Sequence, residues 1–191
     1  QEVSLSEAQT RESLDMICRI GRKMSDVLDE LLFLSSVRKE DVMVAPLDMA
    51  AIIHEATFRL RQRIEEHAAE ITLAGDFPAA LGYAPWVEEV WYNYISNAIK
   101  YGGTPPEIVL GGELTEDDCA RFWVRDNGAG LCQADRSRLF TPYSSPTNDS
   151  RGSGLGLSIV KRIVEKLNGV VGVESEVGAG SVFSFKLPLV K

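Results

Sequence analysis

Asn93 and Asn97 stand four residues apart and Lys100 three further on, within Asn93-Tyr-Ile-Ser-Asn97-Ala-Ile-Lys100-Tyr101. On a helix this spacing stacks two amides and an ammonium along one face, where they can converge on one ligand. Neutral amide oxygens suit a hard Mg²⁺ that also carries phosphate oxygens, because Mg²⁺ keeps its octahedral shell with few protein ligands. A lysine adds a mobile point charge for a phosphate. Taken alone, the pattern equally describes two solvent-facing amides and a surface lysine.

Two glycine-rich segments follow in order. Asp126-Asn-Gly128-Ala-Gly130 sets a carboxylate in a turn whose glycines permit positive φ and close approach by a flat ligand. That carboxylate can accept from an exocyclic amine, although aspartate in such a turn also serves plain turn chemistry. Gly152-Ser-Gly154-Leu155-Gly156-Leu157 leads into a helix, where free backbone N–H groups and the dipole favour an anionic phosphate. It is no Walker loop, since no Gly-Lys-Ser/Thr follows, and no dinucleotide fingerprint, since it is not G-x-G-x-x-G behind a strand. Together the three segments offer partners for metal, base and phosphates, and they read as an ATP site in three pieces.

The elements that must position these residues are legible in outline. From about Ser6 to Val37, Ile17, Ile20, Met24, Val27, Leu31 and Leu34 alternate spacings of three and four, the pattern of a bundle helix that needs partner helices. Pro46-Leu47-Asp48 ends a loop with an N-cap for a helix from near Met49 to Ala69. Ile71-Thr-Leu73 is a short strand. Pro85 sits at the start of a helix running to about Lys100. Glu107–Leu110 and Ala120–Val124 predict a hairpin around Thr115-Glu-Asp-Asp118. A short helix near Gln133–Leu139 precedes a polar, broken loop from Thr141 to Arg151. Leu155–Leu167 predicts a helix ended by Asn168-Gly169, with strands following at about Val170–Glu174 and Ser181–Leu187. This layout is α+β, with helices on one face of a mixed, mostly antiparallel sheet.

The composition narrows the setting. A chain of 191 residues, 45% hydrophobic and 25% charged, has room for one domain with a real core plus a smaller appendage. The net charge of −8 speaks against a broad electrostatic footprint for nucleic acid or anionic lipid, so any phosphate site must be local. No apolar run reaches the roughly 18 to 20 residues that span a bilayer, and no N-terminal signal is visible. Cys18, Cys119 and Cys132 form an odd, widely spaced set without a metal-ligand pattern, which suits a reducing compartment. The expectation is a cytoplasmic segment, with membrane anchoring of a parent left open. Its start at Gln1, without methionine, is expected of a piece of something longer.

Asn93-x-x-x-Asn97-Ala-x-Lys-Tyr101, Asp126-x-Gly-x-Gly130, Phe140-x-Pro-Tyr143 and Gly152-x-Gly-x-Gly-Leu157 resemble the N, G1, F and G2 boxes of the sensor histidine kinases of two-component systems. The resemblance runs from about Met49 to the end and implies the Bergerat-type two-layer α/β sandwich of the wider GHKL group. It implies that Asn97 and Asn93 hold Mg²⁺, that Lys100 approaches the phosphates, and that Asp126 receives the adenine amino group of ATP. Tyr101 would line the nucleotide pocket, Gly128 and Gly130 would shape its wall, and Gly152, Gly154, Leu155 and Gly156 would flank the phosphates. In Gly178-Ala-Gly180-Ser181-Val-Phe183, which resembles the family's late glycine turn, Ser181 takes the place of a common threonine and would support a water near the base. Residues 141–151 would form the ATP lid, with Phe140 at its base and Arg151 its only cation.

The first forty residues resemble the second helix of the kinase dimerisation and phosphotransfer domain, which divides the chain into 1–45 and a catalytic domain at 46–191. The usual acceptor histidine, followed by an acid and a downstream proline, is absent; His54 and His67 fall after Asp48 without that context. The resemblance implies a catalytic region that transfers the ATP γ-phosphoryl to a histidine outside this segment, with Asn93 and Lys100 in catalytic roles. The expected partners are a response-regulator receiver domain and a second copy of the full protein through the N-terminal helix. Neither nucleic acid nor membrane is expected to contact the segment. Two other readings share the site: a GHKL-type ATPase, with Glu89 substituting for the glutamate that hydrolytic relatives carry in place of Asn93, and a non-catalytic, nucleotide-dependent dimerisation or regulatory module.

Overall fold

The structure, a computed structural model, describes residues 42–141 and 154–190 together with scattered positions between 11 and 37. Those scattered positions are all helical, as the apolar spacing predicts. Leu14, Ile17, Ile20, Met24 and Leu28 are each more than half exposed, whereas Val37 is fully buried. Val27, Leu31 and Leu34 lie outside the described residues. Among the described residues no helix is long and apolar enough to cross a membrane.

Helix α1, Met49–Glu66, starts where Asp48 accepts a 3.1 Å bond from the Ala51 N–H, the expected N-cap. It buries Met49, Ile52, Ile53, Ala56 and Leu60 at helical spacing. The expectation that it reaches Ala69 is corrected. His67 caps it, Ala68 turns through φ +48°, and the Ala69 N–H bonds back to Ile64 O at 2.9 Å. The chain must leave the helix there because Glu70 already opens a strand, β2 (Glu70–Ala74).

Helix α2, Ala84–Tyr101, carries Pro85 in its first turn. Its apolar stripe, Trp86, Val87, Val90, Trp91, Tyr94, Ile95, Ala98 and Ile99, is buried. The polar remainder leaves Asn93, Asn97 and Lys100 half-buried along the border. Trp91 is fully buried and meets Phe77, Phe122 and Phe185 edge-on, the last at 5.5 Å between centroids. Tyr94 donates its hydroxyl to Ser184 O at 3.1 Å, and burial pushes its phenol far above the usual range.

The main sheet runs in the order β2 (Glu70–Ala74), β4 (Glu107–Leu114), β5 (Cys119–Asp126), β7 (Ser181–Pro188), β6 (Val170–Ser175). Only the β2–β4 pair is parallel, its crossover carried by α2. In β5, Ala120, Phe122, Val124 and Asp126 point into the core by strict alternation, so the strand delivers a carboxylate to the buried end of an apolar face. Helix α2 and helix α4, Gly156–Lys166, pack on that face, and α1 packs on α2. This is the expected two-layer sandwich.

Three details depart from the sequence reading. A two-stranded sheet pairs β1 (Ala45–Pro46) with β3 (Leu81–Gly82), each too short to show a period. The first hairpin strand continues past Leu110 to Leu114; Gly111 interrupts the β pattern because the Trp123 ring lies over it, 2.1 Å from where a Cβ would stand. Helix α3 is the single turn Gln133–Arg136, not a helix to Leu139. Beyond it Arg138 N bonds to Asp135 O and Thr141 N to Arg138 O, successive three-residue turns that tuck Leu139 into the core.

At the hairpin tip Lys186 reaches Asp117 at 2.8 Å, and the Thr115 hydroxyl also contacts that carboxylate. The Lys186 bond, then the Thr115 bond, hold the Asp117 carboxyl at about 2 rather than 3.8. Its contribution to stability is therefore present above the unfolded value and lost as pH falls through about 2. Carboxyl ¹³C titration is expected to place the Asp117 midpoint near 2, and Lys186→Ala to return it toward 3.8. A wild-type midpoint at the unperturbed value contradicts the pairing.

Candidate nucleotide site

The amide of Asn93 is held from one side. Its Nδ2 donates to Glu89 O at 2.9 Å and to Glu89 Oε1 at 3.1 Å. The Oδ1 atom therefore faces the other way, toward the start of α4, where a Cβ on Gly156 would lie 2.3 Å from it. The first and third segments of the sequence meet at this point. Asn97 lies one turn on, half-buried. Leu155, 2% exposed, supplies no side-chain cap to α4, whose first residue, Gly156, lies beside the Asn93 oxygen.

Glu89 is itself engaged at both oxygens. Arg59 of α1 donates to Glu89 Oε2 at 3.1 Å and to Glu88 Oε1 at 2.9 Å, with its guanidinium 4.2 Å from the Tyr92 ring centroid. Lys100 does not extend along the asparagine stripe here. Its ammonium folds onto Tyr101, contacting the hydroxyl and standing 4.3 Å from the ring centroid.

Asp126 ends β5 at 6% exposure. Burial raises its carboxyl above the ordinary value, while the backbone N–H groups of Gly128 and Ser181 pull it down. The Gly128 bond is 2.9 Å. A Cβ on Gly128 would stand 2.3 Å from Tyr101 O, so the glycine lets the end of α2 close onto the carboxylate turn. Gly130 and Gly180 take φ +69° and +83° where backbones cross, their absent Cβ atoms 1.9 Å from Glu176 O and 2.1 Å from Asp126 O. The Ser181 hydroxyl lies 2.9 Å from Ser175 Oγ, which accepts from Leu131 N and reaches Gly180 O.

Among the expected site residues, Asn93, Asn97, Lys100 and Tyr101 thus share one helix end, Asp126, Gly128, Gly130 and Ser181 form the strand-end turn beside it, and Gly156 closes the third side. Gly154 takes φ +74°, and Phe140 packs half-buried against the core. Of the expected lid at 141–151 only Thr141 is described; residues 142–153, Arg151 and Gly152 among them, lie outside the described residues. His54 and His67 are both exposed, His54 beside Glu55 and His67 against Arg63 O.

One residue has a role the sequence reading did not assign. Asn127 Oδ1 accepts from the Gly103 and Glu107 N–H groups at 2.8 and 2.9 Å, and its Nδ2 donates to Pro105 O at 3.1 Å. It ties the loop after Tyr101 to the Asp126 turn. The available signal was the loop Gly102-Gly-Thr-Pro-Pro106, whose backbone groups need partners outside any helix or ladder.

The sequence pattern of the family described as histidine kinase-, DNA gyrase B-, and HSP90-like ATPase matches residues 82–191, from β3 through Asn93, Asp126 and Gly156. The chain belongs to this family. Cyanobacterial phytochrome B of Nostoc sp. (strain PCC 7120 / SAG 25.82 / UTEX 2576) is 33% identical over 185 residues, 95% of this chain and 25% of that protein. The chain therefore spans about a quarter of that relative's length. Full-length ShkA in complex with AMPPNP has a similar fold, with a TM-score of 0.78 at 24% identity over 99% of this chain and 40% of that one. So does histidine kinase ThkA in complex with response regulator protein TrrA, with a TM-score of 0.77 at 18% identity over 99% of this chain and 54% of that one. The folded unit is the family's ATP-binding domain, with the two-layer architecture of histidine kinase catalytic domains.

Proposed function

We propose that this chain is the ATP-binding catalytic region of a sensor histidine kinase, and that the parent transfers the γ-phosphoryl of ATP to a histidine outside residues 1–191. The observation that carries this reading over hydrolysis is the state of Asn93 and Glu89. An amide is a poor base, and the carboxylate one turn before it has both oxygens engaged by Arg59 and Asn93. Neither is placed to activate a water, so the nucleophile must come from elsewhere.

The residues fit Mg²⁺. Asn93 presents an oxygen with its nitrogen committed behind it, and Asn97 adds a second neutral amide beside it. When bound, Mg²⁺ would neutralise phosphate charge during transfer. Asn93 and Asn97 would hold it, the α4 N-terminus and Gly154 would cradle the phosphates, and Asp126 would accept from the adenine amino group. Lys100 would supply a point charge after leaving the Tyr101 ring, and Ser181 would hold a water near the base. Residues 141–151 would form the lid over the nucleotide, with Arg151 as its cation, and Gly152 would flank the phosphates. A neutral histidine is already a competent nucleophile near pH 7, so positioning and charge neutralisation would suffice.

In the same reading, the N-terminal helix within residues 1–45 is the second helix of a dimerisation and phosphotransfer domain, paired with a second copy in the parent; by Val42 the chain is no longer helical, and Ala45 already belongs to β1. Its exposed Leu14, Ile17, Ile20, Met24 and Leu28 support that assignment. The phosphoryl group would pass to an aspartate of a response-regulator receiver domain; ThkA, of the same fold, is known in complex with such a regulator.

The test supplies the acceptor separately. The chain, γ-labelled Mg-ATP and a bundle polypeptide with a histidine-acid pair are expected to give acid-labile label on the histidine, with negligible hydrolysis in its absence. Tight nucleotide binding without transfer would favour the regulatory module. Substantial hydrolysis that Glu89→Ala abolishes would favour the ATPase.

A further inference from the structure

Asn93 is useful to a cation only in one of its two amide orientations. The oxygen is an acceptor and the nitrogen carries two donors, and rotation of the terminal amide by half a turn exchanges them. Glu89 selects between the two. An ionised carboxylate is acceptor-only, so it pairs with Nδ2 and cannot pair with Oδ1. The Glu89 carbonyl, at 2.9 Å from the same nitrogen, makes the same selection. With both acceptors on one side, Oδ1 is left facing Gly156.

The selector is itself held in place. The Glu89 side chain is 18% exposed and packed between α1 and α2, where Arg59 bridges it to Glu88. Arg59 lies along the Tyr92 ring, and one turn on, Arg63 donates to Ser96 Oγ at 2.9 Å, so the two helices are joined twice along one seam. The connection runs from a guanidinium on α1, through a carboxylate on the neighbouring helix, to the amide at the edge of the nucleotide site.

We propose that Arg59 and Glu89 are positioning residues for the Mg²⁺ of this site, acting through Asn93: Arg59 fixes the Glu89 carboxylate, and Glu89 fixes the amide so that its oxygen meets the cation. The inference rests on Asn93 being a Mg²⁺ ligand. Outer partners that orient a metal ligand commonly matter about 10- to 100-fold in metal affinity, and Asn93 is one of several oxygens in the shell, so the lower end applies.

Two readouts test it on the intact chain. In nucleotide-free protein the Asn93 side-chain NH₂ is expected to give a protected pair of ¹⁵N–¹H signals, which Glu89→Ala brings to the position and solvent exchange of a free amide. With AMPPNP as probe, Glu89→Ala is expected to raise the Mg²⁺ concentration for half-maximal binding by about 10-fold, while binding in EDTA is unchanged. Arg59→Ala is expected to act in the same direction and less, and Glu89→Gln, which retains an acceptor oxygen, to recover most of the loss. Asn93→Ala serves as the reference. If it raises the Mg²⁺ requirement and Glu89→Ala does not, the positioning role is wrong and the ligand assignment stands. If Asn93→Ala leaves the requirement unchanged, Asn93 is no ligand and both statements fall. If Glu89→Gln behaves as Glu89→Ala, or all variants weaken binding equally with and without Mg²⁺, the residues serve only to join the helices.

Discussion

Asp126→Asn is expected to weaken binding of AMPPNP by about 10- to 100-fold, the value of a hydrogen bond to a charged acceptor, while leaving the fold at least as stable at neutral pH. The two effects have one cause. Asp126 is 6% exposed, and burial raises its carboxyl above the ordinary value despite the bonds from Gly128 and Ser181. A carboxyl raised on folding contributes stability that is fully present below its unfolded value and lost as pH rises through its folded value. At neutral pH the buried Asp126 thus costs the fold stability, and in the proposed function a nucleotide amine would use its carboxylate. Asparagine removes that charge and retains an oxygen for the Gly128 N–H. Calorimetric titration with AMPPNP gives the binding change. Urea unfolding over a pH series gives the stability change, and the wild type is expected to lose ground to the variant as pH rises above about 4. Unchanged affinity, or a variant less stable than the wild type at pH 7, contradicts this account of the base site.

Gly130→Ala is expected to cost about 3 kcal/mol of stability, from left-handed strain together with a backbone collision. Gly130 takes φ +69°, and a Cβ would stand 1.9 Å from Glu176 O, which cannot move without shifting the turn between β6 and β7. That turn also carries Gly180, whose backbone packs against Asp126 O. Nucleotide affinity should therefore fall with stability. Gly178 separates the two contributions, because it takes φ +86° with nothing within 4 Å of its Cβ position. Gly178→Ala is expected to cost only the strain, about 1 to 2 kcal/mol, and to leave binding near wild type. Equal losses in the two variants, read from urea midpoints, would show that the Gly130 crossing is not tight.

Much of this arrangement follows from local pattern. The stripe of α2, with Trp91 and Tyr94 inward, leaves Asn93 and Asn97 on its border because residues four apart share a face. Alternation along β5 brings Asp126 to the core side because strand side chains have a period of two. Gly128 and Gly130 mark a crowded turn, since only glycine leaves room for a backbone to cross. These are consequences of a residue and its near neighbours, and a sequence states them directly.

The rest depended on segments far apart in the chain. Arg59 meets Glu89 across 30 positions, and Asn127 meets Gly103 across 24. No period links either pair; they meet because α1 packs on α2 and because buried backbone groups need partners. The same holds for β2, whose parallel pairing with β4 ends α1 at Glu66, and for Lys100, which lies on Tyr101 instead of along the stripe its spacing suggested. The sequence by itself determined which chemical groups this protein owns and the faces on which they lie. Only the tertiary structure decided their orientation, because an amide such as Asn93 points its oxygen according to the acceptors packed around it.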